Sequence, residues 1–267
     1  MKLFGSELRL TDRKNPKKLI TMKRQIVMMM VAVLVCCTSC VRMNLSDLHK
    51  LEPSENVVKN EYKMEAFSKA SIDLVARVKF VQSAEGDYRV VMKCPENYVD
   101  LFKFKVEGDE LKLGFAENLN KSIESKDVAI VVCTPTLLKI DSEGVGSITI
   151  DSLKTPSLHI NSEGVSNLNI KGLTAETLTV ESSGVGNVEL KGEAKRVSLE
   201  CDGVGNIDAG ELKAEDAKAE VNGVGSITCF ASERIKGAVN GVGSLKYGGH
   251  PKQKQLERNG IGATKEL

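Results

Sequence analysis

The amino-acid sequence predicts an all-β protein, a single-stranded parallel β-helix (β-solenoid) with coils of about 20 residues. Three observations support this fold class. A glycine-containing motif recurs in six copies at intervals of 18–20 residues, apolar and polar residues alternate between the motifs, and no segment there keeps the 3.6-residue period of a helix. A repeat of this length with short strands is typical of one coil of a β-solenoid.

Each copy of the motif has a glycine, a valine, a second glycine or a serine, and then Ser or Asn, as in Gly144-Val145-Gly146-Ser147. Glycine permits positive φ and close backbone approach, so each motif is predicted to form a tight corner. The valine is predicted to point inward because this position is always apolar. Asn259-Gly260-Ile261-Gly262 is a degenerate seventh copy of the motif. The predicted corner glycines are Gly144, Gly146, Gly164, Gly184, Gly186, Gly203, Gly205, Gly223, Gly225, Gly241 and Gly243.

A polar ladder is predicted beside these corners, because the residue after the second glycine position is Ser or Asn in all six copies. Stacked coils lie about 4.8 Å apart, so these side chains align along the solenoid. Aligned hydroxyl and amide groups can bond to the coils on either side, as amide ladders do in cross-β stacks. The predicted ladder is Ser147, Asn167, Asn187, Asn206, Ser226 and Ser244.

Strands are also predicted before the repeats, where apolar residues occupy every second position from Ile72 to Phe80. These longer strands hold most of the aromatic residues and are predicted to form wider, irregular coils that continue into the solenoid. We expect one solenoid domain over residues 61–250, with regular repeats over 137–250. The charged tail, residues 251–267, is predicted to cap the last coil.

The first 40 residues have the pattern of an export signal. Lys23 and Arg24 precede an uncharged apolar run, residues 26–37, which is too short to span a bilayer but suits a signal-peptide core. Cys37-Thr38-Ser39-Cys40 is similar to a bacterial lipobox, so lipid attachment is predicted at Cys40. The alternative is a buried hydrophobic segment with incidental cysteines.

A lipid at Cys40 would anchor the exported protein in the outer membrane, on either its cell-surface or its periplasmic side. Residues 41–60 are polar and are predicted to form a tether. Met22 is an alternative start codon, which would make residues 1–21 an annotation artefact or an extension of the signal.

The distribution of charge argues against nucleic acid as a partner. Residues 1–40 contain eight basic and two acidic residues, so the remainder has 29 basic and 34 acidic residues and a net charge of −5. Nucleic-acid binding depends on neutralising phosphates with basic side chains. An acidic mature chain therefore predicts other partners.

The sequence predicts neither a metal site nor a cofactor. No CxxC pair, as a zinc site would use, occurs among Cys94, Cys133, Cys201 and Cys229. Their apolar sequence contexts favour buried free thiols, although disulfides are an alternative because an exported protein permits them. Calcium is also not favoured, because no regular acidic array exists at the position before the first glycine. That position is Glu143, Glu163, Ser183, Asp202, Asn222 and Asn240 in successive copies.

No catalytic residues are predicted either. His49, His159 and His250 are far apart in sequence, and Phe230 and Tyr247 are the only aromatics between Thr136 and Tyr247. A polysaccharide-active enzyme would need clustered acids or bases and usually has aromatic platforms. It therefore stays an alternative to a non-enzymatic protein.

The repeated Gly144-Val145-Gly146 corners, with Phe67, Ile72 and the turn Gly108-Asp109-Glu110-Leu111, resemble the autotransporter adhesin head domain, or GIN domain, common in exported Bacteroidetes proteins. The resemblance covers roughly residues 62–250 and implies a β-helical, often lipid-anchored protein with an adhesin role. It implies no catalytic residue. The usual corner of the family is similar to Gly-Ser-Gly, so the repeated valine is a local departure.

The favoured hypothesis is a non-enzymatic envelope lipoprotein that acts as an adhesin or a binding scaffold. Its expected partners are the membrane, through the lipid, and a protein or glycan ligand. End-to-end or other homo-oligomer contacts are a further expectation. A periplasmic partner of a signalling or assembly system is an alternative that needs the same fold and anchor.

Overall fold

The computed structural model describes residues 49–116 and 121–267. The predicted export signal, Cys40 and the first part of the predicted tether lie outside the described residues. Within them, stacked parallel strands form a β-solenoid of about six turns, which confirms the predicted fold class. Of the helices in this part of the chain, none is long and apolar enough to cross a membrane.

The strands fall into an amino-terminal block and a stack of coils. In the described part of the block, 3₁₀ helices cover Glu96–Leu101 and Ser125–Asp127. The strands of the block are β1 (His49–Lys50), β2 (Val57–Lys63), β3 (Lys69–Asp73), β4 (Val75–Gln82), β5 (Arg89–Pro95), β6 (Phe102–Glu107), β7 (Glu110–Phe115), β8 (Lys121–Ser122) and β9 (Ala129–Thr134). The later coils contain β10 (Lys139–Ser142), β11 (Val145–Ile150), β12 (Leu153–Ser162), β13 (Val165–Ser182), β14 (Val185–Cys201), β15 (Val204–Val221), β16 (Val224–Phe230), β17 (Arg234–Val239), β18 (Val242–Gly248), β19 (Gln253–Arg258) and β20 (Ile261–Glu266).

Each coil presents two long faces that meet at a corner. The first face is the segment that begins at each valine, such as residues 145–150, and the second face is the segment before each corner, such as residues 157–162. Within each face, the strands of successive coils pair in parallel and in register. Val145 therefore lies beside Val165 on the first face, and Lys139 lies beside His159 on the second face. Equivalent residues of successive coils therefore form columns along the solenoid axis.

The cross-section of the core narrows towards the corner. Ile148, Ile150 and Leu158 are buried well inside it. Near the corner the inward residues are small, and the hydroxyls of Ser162 and Ser166 lie 3.3 Å apart. The two faces can converge there because serine and glycine occupy little volume.

The corner glycines are required by close approach between coils. A Cβ at the first glycine position, such as Gly184, would lie 2.0–2.1 Å from the carbonyl oxygen of the preceding coil, and at the second position 1.6–1.9 Å. Gly184 does not adopt a left-handed backbone conformation. Steric contact with the neighbouring backbone excludes larger residues instead.

An additional coil without corner glycines precedes the repeats. Strands β3 and β4 pair in parallel with β10 and β11, which places Val75 beside Val145. Leu74 and Ala76 occupy the two glycine positions of this coil. In the described pairings on the amino-terminal side, β3 pairs with β7 only up to Asp73 and β4 pairs with β9 only from Arg77. No described strand crowds residues 74–76, so side chains are tolerated there.

The amino-terminal block differs from the wider, irregular coils that the sequence predicts. β5 pairs antiparallel with β2 and β9, and β6 with β7. The β6–β7 hairpin turns at Gly108, whose φ is +65°, and the Asp109 carboxylate accepts hydrogen bonds of 2.7 Å from the amide and hydroxyl of Ser68. β7 and β9 extend the two faces in parallel, and the antiparallel strands β6 and β5 cover the outer edges of β7 and β9, where another parallel coil would otherwise pair.

The tail forms one more set of strands, because β19 pairs with β17 and β20 pairs with β18. Its inward positions are largely polar. Lys254 takes the place of Ile235 and forms an ion pair of 2.7 Å with Glu266, to which the Tyr247 hydroxyl donates a hydrogen bond of 3.4 Å. Inward-pointing charges discourage the pairing of another strand, so this arrangement terminates the stack.

Replacing Gly184 with Ala should lower the free energy of unfolding by about 1–3 kcal/mol, as overpacking does. The reason is that the new Cβ would lie 2.0 Å from the Gly164 carbonyl oxygen. Gly248→Ala is the control, because its Cβ would meet nothing closer than the Phe230 ring at 3.8 Å. Urea denaturation followed by circular dichroism measures both variants. Equal stability would contradict a close contact between coils at Gly184.

Deleting residues 251–267 should lower the melting temperature and cause self-association. The truncation exposes the edges of β17 and β18 together with the buried Val239, Leu245 and Tyr247, and unprotected edges pair with other chains. Thermal denaturation and size-exclusion chromatography with light scattering measure these effects. A monomeric truncation with unchanged stability would show that the tail is not a cap.

Candidate binding faces of the solenoid

The repeated valines form an exposed column on the first face. Their exposed fractions are 46–54%, and Ile261 continues the column with 77% exposure. The expectation that these valines point inward is wrong, because successive strand residues alternate between faces. Gly146, Ile148 and Ile150 occupy the inward positions, so the residue before Gly146 must point outward. We call this set the valine column: Val145, Val165, Val185, Val204, Val224, Val242 and Ile261.

The predicted Ser/Asn ladder lies beside the valine column. The backbone N–H of Asn187 donates a hydrogen bond of 3.0 Å to Asn167 Oδ1, and Asn206 Nδ2 donates one of 3.1 Å to Asn187 Oδ1. The Ser226 hydroxyl donates to Asn206 Oδ1 at 2.7 Å. Ser147 and Ser244 lie in register with these four residues, although no ladder hydrogen bond to them is described. The side-chain bonds thus join the middle coils.

A second polar ladder runs along the corner on the other side of the valine column. Asn222 Nδ2 donates to Asp202 Oδ1 at 2.7 Å, Asn240 Nδ2 to Asn222 Oδ1 at 2.8 Å, and Asn259 Nδ2 to Asn240 Oδ1 at 3.1 Å. Sequence reasoning considered this position only as a source of metal ligands. The recurrence of amide side chains there was the signal for a ladder.

An acidic column on the second face was missed by sequence reasoning, which looked for acids only next to the glycines. Glu181, Glu200 and Glu220 are paired in consecutive coils, with Asp141 and Glu257 at the same position in other coils. The signal was an acid three residues before most first glycines. In the part of the chain that the structure describes, no group of three or more His, Cys, Asp or Glu residues is arranged to hold a metal ion.

The pKa of Glu200, the central member of the acidic column, is shifted in the folded protein. Burial, followed by the nearby carboxylates of Asp202 and Glu220, raises the pKa of Glu200. Asn222 Nδ2 donates a hydrogen bond of 3.0 Å to Glu200 Oε1, which links this carboxylate to the corner ladder. Burial, with a smaller contribution from neighbouring carboxylates, therefore opposes the ionisation of Glu200 in the folded protein.

Among the residues that the structure describes, the cysteines are buried and lie apart from the histidines of the tail and of β12. Cys94, Cys133, Cys201 and Cys229 are buried free thiols, as favoured from the sequence, and burial raises the pKa of Cys229 to about 12. A thiol with so high a pKa is not a nucleophile at neutral pH. His250 contacts Glu266 in the tail at 3.2 Å, whereas His159 lies within β12.

Two grooves run along the solenoid. The larger, of about 820 Å³, contains Thr155, Ala175, Ala194 and Ala214 between side chains of both charges, with Phe230 also in its lining. Its lysines and glutamates largely neutralise one another, as in the 2.8 Å ion pair of Lys195 with Glu176. The second groove, of about 660 Å³, has a different charge pattern.

Glu200→Gln should raise the melting temperature at pH 7 by a few degrees. The pKa of Glu200 is raised in the folded protein, so the folded state binds this proton more tightly and the ionised carboxylate opposes folding above that pKa. The gain should disappear at acidic pH, where the carboxyl is protonated in both states. Glu257→Gln is the control, because its neighbour one coil earlier is Ala238. Thermal scans that show no gain for Glu200→Gln over the control at pH 7 would contradict this assignment.

Comparison with known proteins supports the same fold. A profile of the family described as “Putative auto-transporter adhesin, head GIN domain” matches residues 66–251. The crystal structure of a “putative adhesin” from Bacteroides fragilis is 38% identical, covers 81% of this chain and 100% of its own, and has a TM-score of 0.78. No curated protein matches this chain.

Two more distant crystal structures share the fold. A “Putative lipid binding protein” from Parabacteroides distasonis is 19% identical, covers 82% of this chain and 99% of its own, and has a TM-score of 0.67. A “putative adhesin” from Parabacteroides merdae is 16% identical, covers 82% of this chain and 99% of its own, and has a TM-score of 0.61.

The family profile covers residues 66–251, and the Bacteroides fragilis structure is similar in both sequence and fold. The resemblance inferred from the glycine corners is thereby confirmed. The chain belongs to the family of the “Putative auto-transporter adhesin, head GIN domain”.

Proposed function

We propose that this protein is a non-enzymatic envelope lipoprotein, anchored through a lipid at Cys40, that works as an adhesin and presents the first face of its solenoid to a partner. The valine column is the observation that carries this proposal. Relatives in sequence and structure bear adhesin names, which agrees with a binding role.

The valine column is more regular than the fold requires. The outward position four residues after each valine varies freely in its chemistry. It holds, in successive coils, Thr149, Asn169, Glu189, Asp208, Thr228 and Lys246. The exposed position at the valine stays aliphatic from Val145 to Ile261. Packing between neighbouring valines favours β-branched residues, yet about half of each valine surface remains in water.

The geometry suits multipoint contact. Seven aliphatic side chains at a coil spacing of about 4.8 Å make a line of about 29 Å. Hydrogen-bonded ladders flank the line on both sides. These hydrogen bonds restrict the side chains of the ladders before a partner binds. Little conformational entropy is then lost on binding, which favours affinity.

Anchoring and orientation are testable in intact cells. Protease treatment of cells that express the wild type should remove the solenoid, because an adhesin faces the outside. Cys40→Ala cells should retain no protease-sensitive solenoid at the surface. Protection of the wild type in intact cells, lost when the envelope is permeabilised, would overturn the adhesin proposal in favour of a periplasmic scaffold.

Adherence tests the valine column. Cells that express the wild type should adhere to mucin-coated glass and to one another more than cells with Cys40→Ala or with the triple change Val185→Thr, Val204→Thr and Val224→Thr. Val57→Thr is the control, because Val57 is also 51% exposed but lies on β2, outside the column. Equal adherence of all four strains would overturn the proposal.

A further inference from the structure

The groove of about 660 Å³ lies on the second face and follows the solenoid axis across the later coils. Buried aliphatic residues, Leu178, Val197, Ala217 and Ile235, are part of its lining. Polar and charged side chains form the rest. These are Thr177, Arg196, Ser198, Asp216, Lys218, Arg234, Lys236, Gln253, Lys254 and Gln255.

Positive charge is concentrated in this groove. Its lining contains five basic side chains and a single carboxylate, Asp216, although the chain after residue 40 has a net charge of −5. Arg234 pairs with Asp216 through its Nε at 2.8 Å and its Nη2 at 2.5 Å. Lys218 pairs with Glu220 at 3.0 Å, and Lys254 with Glu266 at 2.7 Å.

Two cations are left without a carboxylate partner. Arg196 donates a hydrogen bond of 3.1 Å to the neutral Thr177 hydroxyl, and no carboxylate of the described residues lies within ion-pair distance of Arg196 or Lys236. Both side chains are exposed. They are available to an anionic ligand without the loss of an existing ion pair.

The strand register spaces these cations along the groove. In the strand register, Asp216 lies between Arg196 of the preceding coil and Arg234 of the next coil. The adjacent column consists of Ser198, Lys218, Lys236 and Gln255. Arg196 and Lys236 are therefore two coils apart, about 10 Å along the axis. A ligand that meets both must be an extended chain or carry anionic groups at least that far apart.

The surroundings restrict the width of the ligand. The carboxylates of Glu181, Glu200 and Glu220 run beside the groove on the same face, two positions beyond the Ser198–Lys218 column. A duplex nucleic acid or an anionic membrane would lie over these carboxylates as well as over the cations. A single narrow chain can contact the cations while staying clear of the acids.

We propose that this groove binds one strand of a linear anionic polysaccharide, whose carboxylate or sulfate groups pair with Arg196 and Lys236. Gln253, Gln255 and Ser198 offer hydrogen bonds to the hydroxyl groups of the sugar rings. This inference rests on the proposed function and adds a ligand class to it, on a different face from the valine column.

Binding of defined polymers to the purified full chain in detergent tests this inference. Dextran sulfate and alginate carry sulfate and carboxylate groups, neutral dextran is the uncharged match, and duplex DNA is a wide polyanion. We expect both anionic polysaccharides to bind more tightly than dextran, with an affinity that falls as salt is added. The double variant Arg196→Gln, Lys236→Gln should weaken their binding by about tenfold, since charge-assisted hydrogen bonds are lost.

The control is Lys246→Gln, Lys265→Gln, which removes the same charge from exposed lysines of the first face. Its affinity for dextran sulfate should equal that of the wild type. Equal binding of dextran, no binding of either anionic polysaccharide, or equal losses in the two double variants would overturn the inference, as would tighter binding of duplex DNA. None of these results bears on surface exposure or on the valine column, so the proposed function fails or stands separately.

Discussion

The structure depends on how closely successive coils approach each other at the glycine corner. The backbone of one coil occupies the space that a Cβ of the next coil would need, with separations of only 1.6–2.1 Å from the preceding carbonyl oxygen. This contact allows the two faces to converge on a narrow core edge. It also keeps every coil in the same phase, because a shift by one residue would bring a side chain into that contact.

The functional surfaces follow from that shared phase. Equivalent residues of successive coils stack directly, so a preference repeated in the sequence becomes a column in space. The valines become an apolar line, the Ser/Asn positions become hydrogen-bonded ladders, and Glu181, Glu200 and Glu220 become a row of like charges. A surface of this kind is rigid and periodic, and it offers many weak contacts to a long partner instead of one deep pocket.

A stack of parallel strands would continue indefinitely unless both ends were closed. At the amino-terminal end, the antiparallel strands β6 and β5 cover β7 and β9. The last coil carries Lys254, Glu266 and Arg258 in or near the positions that hold apolar residues in earlier coils. Both arrangements protect edge strands. The amino-terminal end is protected by additional strands, and the carboxy-terminal end by charged side chains in the core that disfavour the pairing of another coil. The two faces between these ends are left as the long surfaces available for binding.

The sequence by itself determined the fold class, the coil length and the position of each corner, because the same steric requirement leaves glycine at the first corner position in every copy. It also indicated the Ser/Asn positions, where the same polar types recur. The tertiary structure alone decided the direction of the valines, since a strand that begins one residue earlier or later reverses its faces. It also revealed the coil with Leu74 and Ala76 in place of glycines, the antiparallel block, the acidic column and the basic groove. These features arise from the pairing between residues of different coils, and the local pattern of a single segment does not contain that information.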